Sequence, residues 1–275
     1  MDFSLLIPIF LGLLAGGLIN YLADVLPHTL RLSRPLCLNP DCKAAFRWTD
    51  TLLLRRCSKC GRGCSLRTYA VLILAEALSI FIWFSPPHTL GFALGLAVLT
   101  YLLLVTVIDL EHRLILRPLS LAGLILAALA GIYVRGWLST LIGGAAGFGI
   151  MFVFYLFGRL FTRWRLRRLG TADQEPPNYR GEPSNYGGEE ALGSGDVTLA
   201  TILGLLLGWP LIWFCLLMGV FIAGIVSLLI LARLLISKQY RQKALMVFIP
   251  YGPPFILSAI LMVYFPHWMV YLAPR

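Results

Sequence analysis

Two aspartates stand where apolar stretches of the chain meet polar ones, and their carboxylates are the first candidates for chemistry. Asp109 ends one apolar run within the sequence IDLEHR (108–113), and Asp196 opens another at the end of GSGD (193–196). A carboxylate at the edge of a membrane segment is costly to desolvate, so it is a functional candidate by default. The matched settings of the two residues suggest that they act together.

Two carboxylates that converge cannot both ionise cheaply, so such a pair shares a proton and titrates as a unit. One member can then act as general base on a water while the other donates to a scissile carbonyl. The simpler alternative stays open at this point. Asp196 would cap a helix after a glycine turn, and Asp109 would pair with Arg113, four residues further on.

The composition identifies the environment in which these residues act. The chain has 275 residues, of which 59% are hydrophobic and only 13% charged, with mean hydropathy +0.81. Soluble domains carry about twice that charged fraction. We therefore predict an all-α polytopic membrane protein with about eight transmembrane helices. The predicted spans are about 1–21, 69–84, 89–108, 118–134, 138–160, 197–207, 211–236 and 245–265.

The basic residues predict how the spans are oriented. The net charge is +10, and the segment 28–68 alone holds nine Lys or Arg against two Asp. Loops rich in Lys and Arg stay in the cytoplasm. The N- and C-termini are then outside and both aspartates lie at the cytoplasmic face. This distribution explains the positive charge without a nucleic-acid partner, and no cleaved signal peptide is expected because Asp2 replaces a basic start.

Five of the six cysteines fall in the same basic segment. Two pairs, spaced by four and by two residues, are separated by 14 residues, which is typical of a two-knuckle, four-thiolate zinc site. Disulfides or unpaired thiols are the alternative, disfavoured in a cytoplasmic loop. Cys64 could replace the last ligand. The predicted zinc ligands are Cys37, Cys42, Cys57 and Cys60.

Taken together, these motifs resemble the type IV prepilin peptidases (the leader peptidase/N-methyltransferase family), a branch of the GxGD intramembrane aspartic proteases. The resemblance rests on GLLAGGLINYLADVLP (12–27), the cysteine segment, the two aspartate motifs and YGP (251–253). Leu116-Arg117 and Thr198 depart from the family pattern, but neither departure removes a carboxylate. The resemblance covers most of the chain, and either aspartate motif alone would be weak.

This resemblance implies an endopeptidase that cuts the basic leader from prepilins or pseudopilins, with Asp109 and Asp196 as the catalytic pair. It also implies N-methylation of the new N-terminus with S-adenosylmethionine, for which no binding residue is assigned, and a bacterial inner-membrane location in contact with lipid. The implied domains are a first span (1–27), a cytoplasmic zinc-binding loop (28–68) and a transmembrane peptidase core (69–275) with a long cytoplasmic loop (161–195).

Two other classes of function remain open on the sequence. Intramembrane aspartates carry protons or cations in transporters, and a membrane scaffold could use a zinc loop only to dock a partner. A transporter would be favoured by internal repeats and charges at the membrane midplane, whereas both aspartates stand at span ends. A scaffold would keep its function after loss of either aspartate. A GxGD protease of another branch would lack the cysteine segment.

Overall fold

The described part of the computed structural model is built from α-helices and contains no strand. It comprises residues 5–29, 32–34, 42, 57, 59–61, 65–87, 89–168, 194–236 and 251–265. In chain order, its eight helices are α1 (Leu6–Thr29), α2 (Leu66–Phe84), α3 (Gly91–His112), α4 (Arg117–Arg135), α5 (Trp137–Arg168), α6 (Ser194–Leu207), α7 (Leu211–Ile236) and α8 (Gly252–Tyr264).

Six of these helices, α1 to α5 and α7, are long and apolar enough to cross a membrane, and the chain is a multi-pass membrane protein. The predicted all-α polytopic fold is therefore confirmed, and six of the about eight predicted transmembrane helices have the length and composition to span. Helix α6 has 14 residues and α8 has 13, so each is about 20 Å long. This is short of the roughly 30 Å of a bilayer core.

Helix α1 continues well beyond the predicted end of the first span at about residue 21, because its polar residues have partners inside the bundle. Asn20, which is buried, donates from Nδ2 to the backbone carbonyl of Thr68 at 3.2 Å. Asp24 pairs with Arg67 at the start of α2. Two polar residues that would have ended an isolated span thus each have a partner on the neighbouring helix.

Helix α3 also runs further than the sequence indicates. The predicted end of this span at about residue 108 is wrong, since the helix continues to His112. It closes at Arg113, whose backbone is left-handed (φ 54°) and whose N–H donates to the carbonyl of Asp109 at 2.9 Å. Asp109 and Glu111 consequently share the final turn of α3.

Helix α6 is the buried centre of the bundle, and most of its side chains from Val197 to Leu207 are inaccessible to solvent. Its backbone nearly touches that of α5. A Cβ on Gly147 would come within 2.3 Å of the Ala200 carbonyl oxygen, and one on Gly143 within 2.4 Å of the Gly204 carbonyl oxygen. Small residues spaced by four allow this approach between helices in lipid. The contact fixes the helix that carries Asp196.

Several expectations fall outside the described residues. These are the ligand Cys37 and its alternative Cys64, the polar segment 169–193, and residues 245–250 of the last predicted span. Helix α5 reaches Arg168, so residues 161–168 of the segment expected to be a loop are helical.

The α5–α6 contact leads to a stability prediction. Gly147→Ala should lower the free energy of unfolding by about 1–3 kcal/mol, because the new Cβ meets backbone that can yield only if the two helices separate. Denaturing-detergent titration of the purified protein measures this. Gly149→Ala is the matched control: a Cβ there meets nothing within 4 Å, and alanine is the better helix former. Equal unfolding curves for the two variants would contradict the contact.

Candidate functional site

The ends of three helices meet around Asp109. Its carboxylate lies in the last turn of α3, and the residue is only 6% exposed. Asp196 lies in the first turn of α6 and is close enough for its charge to repel that of Asp109. The structure thus brings the two sequence-predicted aspartates together from helices far apart in the chain. Arg113, the expected partner in the simpler interpretation, also attracts the Asp109 charge.

The third helix end is that of α8, and it contributes a group that sequence reasoning did not assign. The backbone N–H of Gly252 donates toward the Asp109 carboxylate. A Cβ on Gly252 would stand 2.3 Å from Oδ2 of Asp109, so only glycine allows this approach. Helix N-termini favour nearby negative charge. The YGP motif (251–253) was the available signal, but it does not reveal which side chain the glycine approaches.

The carboxylate of Asp109 is incompletely satisfied. Within the described part of the chain, its Oδ2 oxygen is buried without a hydrogen-bond partner. Buried polar atoms are nearly always paired, and an exception calls for an explanation. For a carboxylate beside a second carboxylate, the explanation is that the unpaired oxygen can accommodate a shared proton or a reacting group. Nearby, Gly195 of the GSGD motif packs against Ile115, which joins α3 to α4.

Three of the four predicted zinc ligands form a cluster. The sulfurs of Cys42, Cys57 and Cys60 all lie within 4.8 Å of one another, and those of Cys42 and Cys57 are 3.8 Å apart. A tetrahedral site with Zn–S bonds of about 2.3 Å separates its sulfurs by about 3.8 Å, whereas a disulfide needs about 2.05 Å. The three thiols therefore fit a zinc ion. The remaining predicted ligand, Cys37, is not among the described residues.

A second set of charged residues lies beside Asp109. Arg67, at the start of α2, pairs with both Asp24 of α1 and Glu111 of α3. Glu76 lies elsewhere, about 13 Å further along α2. Its Oε2 is buried without a partner among the described residues, against the small notch left by Gly12.

Comparison with known proteins agrees with this architecture. Residues 96–228 match the Peptidase_A24 family model, described as the type IV leader peptidase family. The matched stretch contains both aspartates and runs from within α3 to within α7. No curated protein and no solved structure matches the chain.

An all-helical membrane protein with these motifs in one matched stretch is a membrane peptidase. Over residues 96–228, just under half of its length, the chain is similar to the type IV leader peptidase family. The resemblance inferred from the sequence is thereby confirmed, and the family supports cleavage of type IV leader peptides. The matched residues include neither the cysteine cluster nor Gly252.

The contact of Gly252 with Asp109 leads to a prediction about activity. Gly252→Ala should lower the rate of leader-peptide cleavage by about a hundredfold, because a displacement of about 1 Å at a reacting group costs that much. Cleavage of a prepilin-like substrate by detergent-solubilised protein measures this. Gly224→Ala in α7 is the matched control, since a Cβ there meets nothing within 4 Å. Full activity of Gly252→Ala would show that α8 does not shape the site.

Proposed function

We propose that this chain cleaves the basic leader peptide of prepilins or pseudopilins, with Asp109 and Asp196 as the catalytic pair. The observation that carries the proposal is the approach of these two carboxylates at the ends of α3 and α6, inside the stretch that matches the leader peptidase family. Neither the transporter nor the scaffold alternative requires the two side chains to approach each other.

In the proposed mechanism the two carboxylates hold one proton between them. The ionised carboxylate removes a proton from a water molecule as the water oxygen attacks the carbonyl carbon of the scissile peptide bond. The protonated carboxyl donates a hydrogen bond to the carbonyl oxygen, where negative charge develops. The C–N bond then breaks as the carboxyl group that took the proton from water passes it to the leaving amine nitrogen.

The surroundings of Asp109 support a pair in which one carboxyl group is ionised and the other is protonated. Burial and the charge of Asp196 disfavour an ionised carboxylate there, whereas the Gly252 N–H and the charge of Arg113 stabilise one. Together they favour a pair with one net negative charge, which is the form that the mechanism needs. The unpaired Oδ2 of Asp109 leaves one oxygen available for the shared proton or for the attacking water.

We further propose that the site faces the cytoplasm from a bacterial inner membrane, with both termini outside. Exposed basic side chains stand just after the end of α3 and at the start of α4, beside Asp109 in the chain, as is typical of loops on the cytoplasmic side. The substrate is then an apolar helix preceded by a basic leader, cut where it leaves the bilayer. The basic residues are Arg113 and Arg117.

The segment 28–68 is proposed as a zinc-binding loop and residues 69–275 as the peptidase core behind a first span (1–27). Cys42, Cys57 and Cys60 would hold the ion, with Cys37 as the expected fourth ligand. Zinc would supply folding free energy to a segment of roughly 40 residues that has little core of its own. It takes no part in the proposed cleavage.

N-methylation of the new N-terminus by S-adenosylmethionine is the second proposed activity, and its support is the resemblance, in which the cysteine loop accompanies it. No described residue marks a site for the methyl donor. Methylation would add about 14 Da, one CH₂, to the cleaved product. Mass spectrometry of the product, formed with and without S-adenosylmethionine, therefore separates the two activities.

The aspartate pair predicts the outcome of two isosteric substitutions. Asp109→Asn and Asp196→Asn should each reduce leader cleavage by about 10²–10⁴-fold, because each removes one partner of the general acid–base pair. The assay uses purified protein and a prepilin-like substrate, with folding checked by circular dichroism and thermal stability. Cleavage that persists in either folded variant would exclude the aspartyl mechanism and favour the scaffold or transporter.

The cysteine cluster predicts the metal content. Purified protein should carry about one zinc ion per chain, measured by elemental mass spectrometry, and Cys57→Ser should lose it. Cys215→Ala serves as the control because this thiol lies between α7 and α8, where it accepts a hydrogen bond from Ser258 at 3.5 Å. Zinc retained by Cys57→Ser, or lost from the control, would argue against the proposed ligands.

A further inference from the structure

Arg67 joins three helices at the end of the bundle where Asp109 lies. Its Nη1 donates to Oε2 of Glu111 in α3 at 2.5 Å, and its Nη2 donates to Oδ1 of Asp24 in α1. The Arg67 side chain is 19% exposed, so the pairs are partly shielded from water. Two different nitrogens serve two acceptors on different helices, a geometry that the guanidinium fork provides and a lysine ammonium does not.

Arg67 is itself fixed in place by α1 and the first turn of α2. Ser65 caps α2 by accepting from the Thr68 N–H. The carbonyl of Thr68 in turn accepts a hydrogen bond from buried Asn20 of α1. The guanidinium therefore projects from a turn that is tied to α1 both by its backbone and by its own pair with Asp24. It can serve as a fixed anchor for whatever it binds on α3.

The anchored residue, Glu111, lies two positions after Asp109 in the last turn of α3. Helix ends fray, and negative side chains near a helix C-terminus oppose the helix dipole. Both Asp109 and Glu111 do so in the same turn. Arg113 attracts the charge of Asp109, and Arg67 offsets the charge of Glu111. Without Arg67, the negative charge of Glu111 in this turn would no longer be offset, and the turn that carries Asp109 would lose its link to α2.

We propose that Arg67 is a positioning residue that holds the last turn of α3, and with it the carboxylate of Asp109, against the α1–α2 pair. Arg67 acts through Glu111 and does not touch the reacting atoms. The structural part of this proposal is independent of chemistry, whereas its consequence for cleavage rests on the proposed function. Loss of the tie affects the placement of Asp109 more than it affects binding of the leader.

The first test is hydrogen exchange, which reports the turn directly. Arg67→Ala and Glu111→Gln should each speed amide exchange in residues 110–113, where the Arg113 N–H bonds to the Asp109 carbonyl, by about tenfold or more. Arg34→Ala removes an equal charge from an exposed position and should leave exchange unchanged. Glu111→Gln is nearly isosteric, so it keeps the test valid if Arg67→Ala fails to fold. Unchanged exchange in folded Glu111→Gln would overturn the proposal.

The second test is the kinetics of leader cleavage. Arg67→Ala should lower kcat about ten- to a hundredfold with KM within about twofold of the wild-type value, and Arg67→Lys should not restore kcat. The double variant of Arg67→Ala with Glu111→Gln should be no slower than the worse single variant, because both remove the same interaction. If the losses in kcat of the two single variants multiply in the double variant, or if only KM changes, the positioning role of Arg67 is overturned.

The two tests separate the failure of this inference from the failure of the proposed function. If the wild-type protein cleaves no leader peptide, the proposed function fails, yet hydrogen exchange still decides whether Arg67 holds the turn. If the wild-type protein cleaves and Arg67→Ala leaves both kcat and exchange unchanged, the inference fails while the catalytic pair stands.

Discussion

The electrostatic cost of bringing two carboxylates together at buried helix ends is the constraint on which the rest of the structure depends. Asp109 is almost wholly buried and feels the charge of Asp196, and each of these conditions disfavours an ionised carboxylate. The fold meets the cost with local groups: the Gly252 N–H at the start of α8 and the nearby charge of Arg113. In the proposed mechanism, a proton shared by the two carboxylates would remove what remains of this cost. Such a pair at the edge of an apolar bundle would be able to take up and release protons.

Holding such a pair requires that the helices bearing it cannot drift apart, because repulsion would separate them. Helix α6 is held by backbone contact with α5 at Gly143 and Gly147. Close packing is what holds helices together in lipid, because the hydrophobic effect does not drive them together there. Helix α3 makes its close glycine contact at the final turn through the Asp109 side chain, which Gly252 approaches, and not through its backbone. Its tie there is ionic, through Glu111 and Arg67. The two aspartates are therefore positioned by different means, one by close packing and the other by a charged link.

The helices were predictable from hydropathy because each apolar run needs only its own residues to form a helix. Their ends were not, since Asn20 and Glu111 are stabilised by partners more than 40 residues away in the chain. The candidate aspartates were found from motifs, but their approach to each other depends on how α3 and α6 pack. The contact of Gly252 with Asp109 could not be predicted either, because it depends on how α8 packs against α3. Three cysteines were recognised by spacing, because knuckle ligands are local in sequence.

The position of Glu76 bears on the choice between a peptidase and a transporter. A proton or cation path needs ionisable groups in succession across the membrane. Glu76 lies within α2, against Gly12 of α1, whereas Asp109 and Asp196 lie at the ends of α3 and α6. The described residues give no intervening carboxylate on α2 between Glu76 and the end of the bundle that holds the aspartates. Helix ends are where a peptide leaving the bilayer and a water molecule can both reach the pair, so the placement of the aspartates suits hydrolysis better than transport.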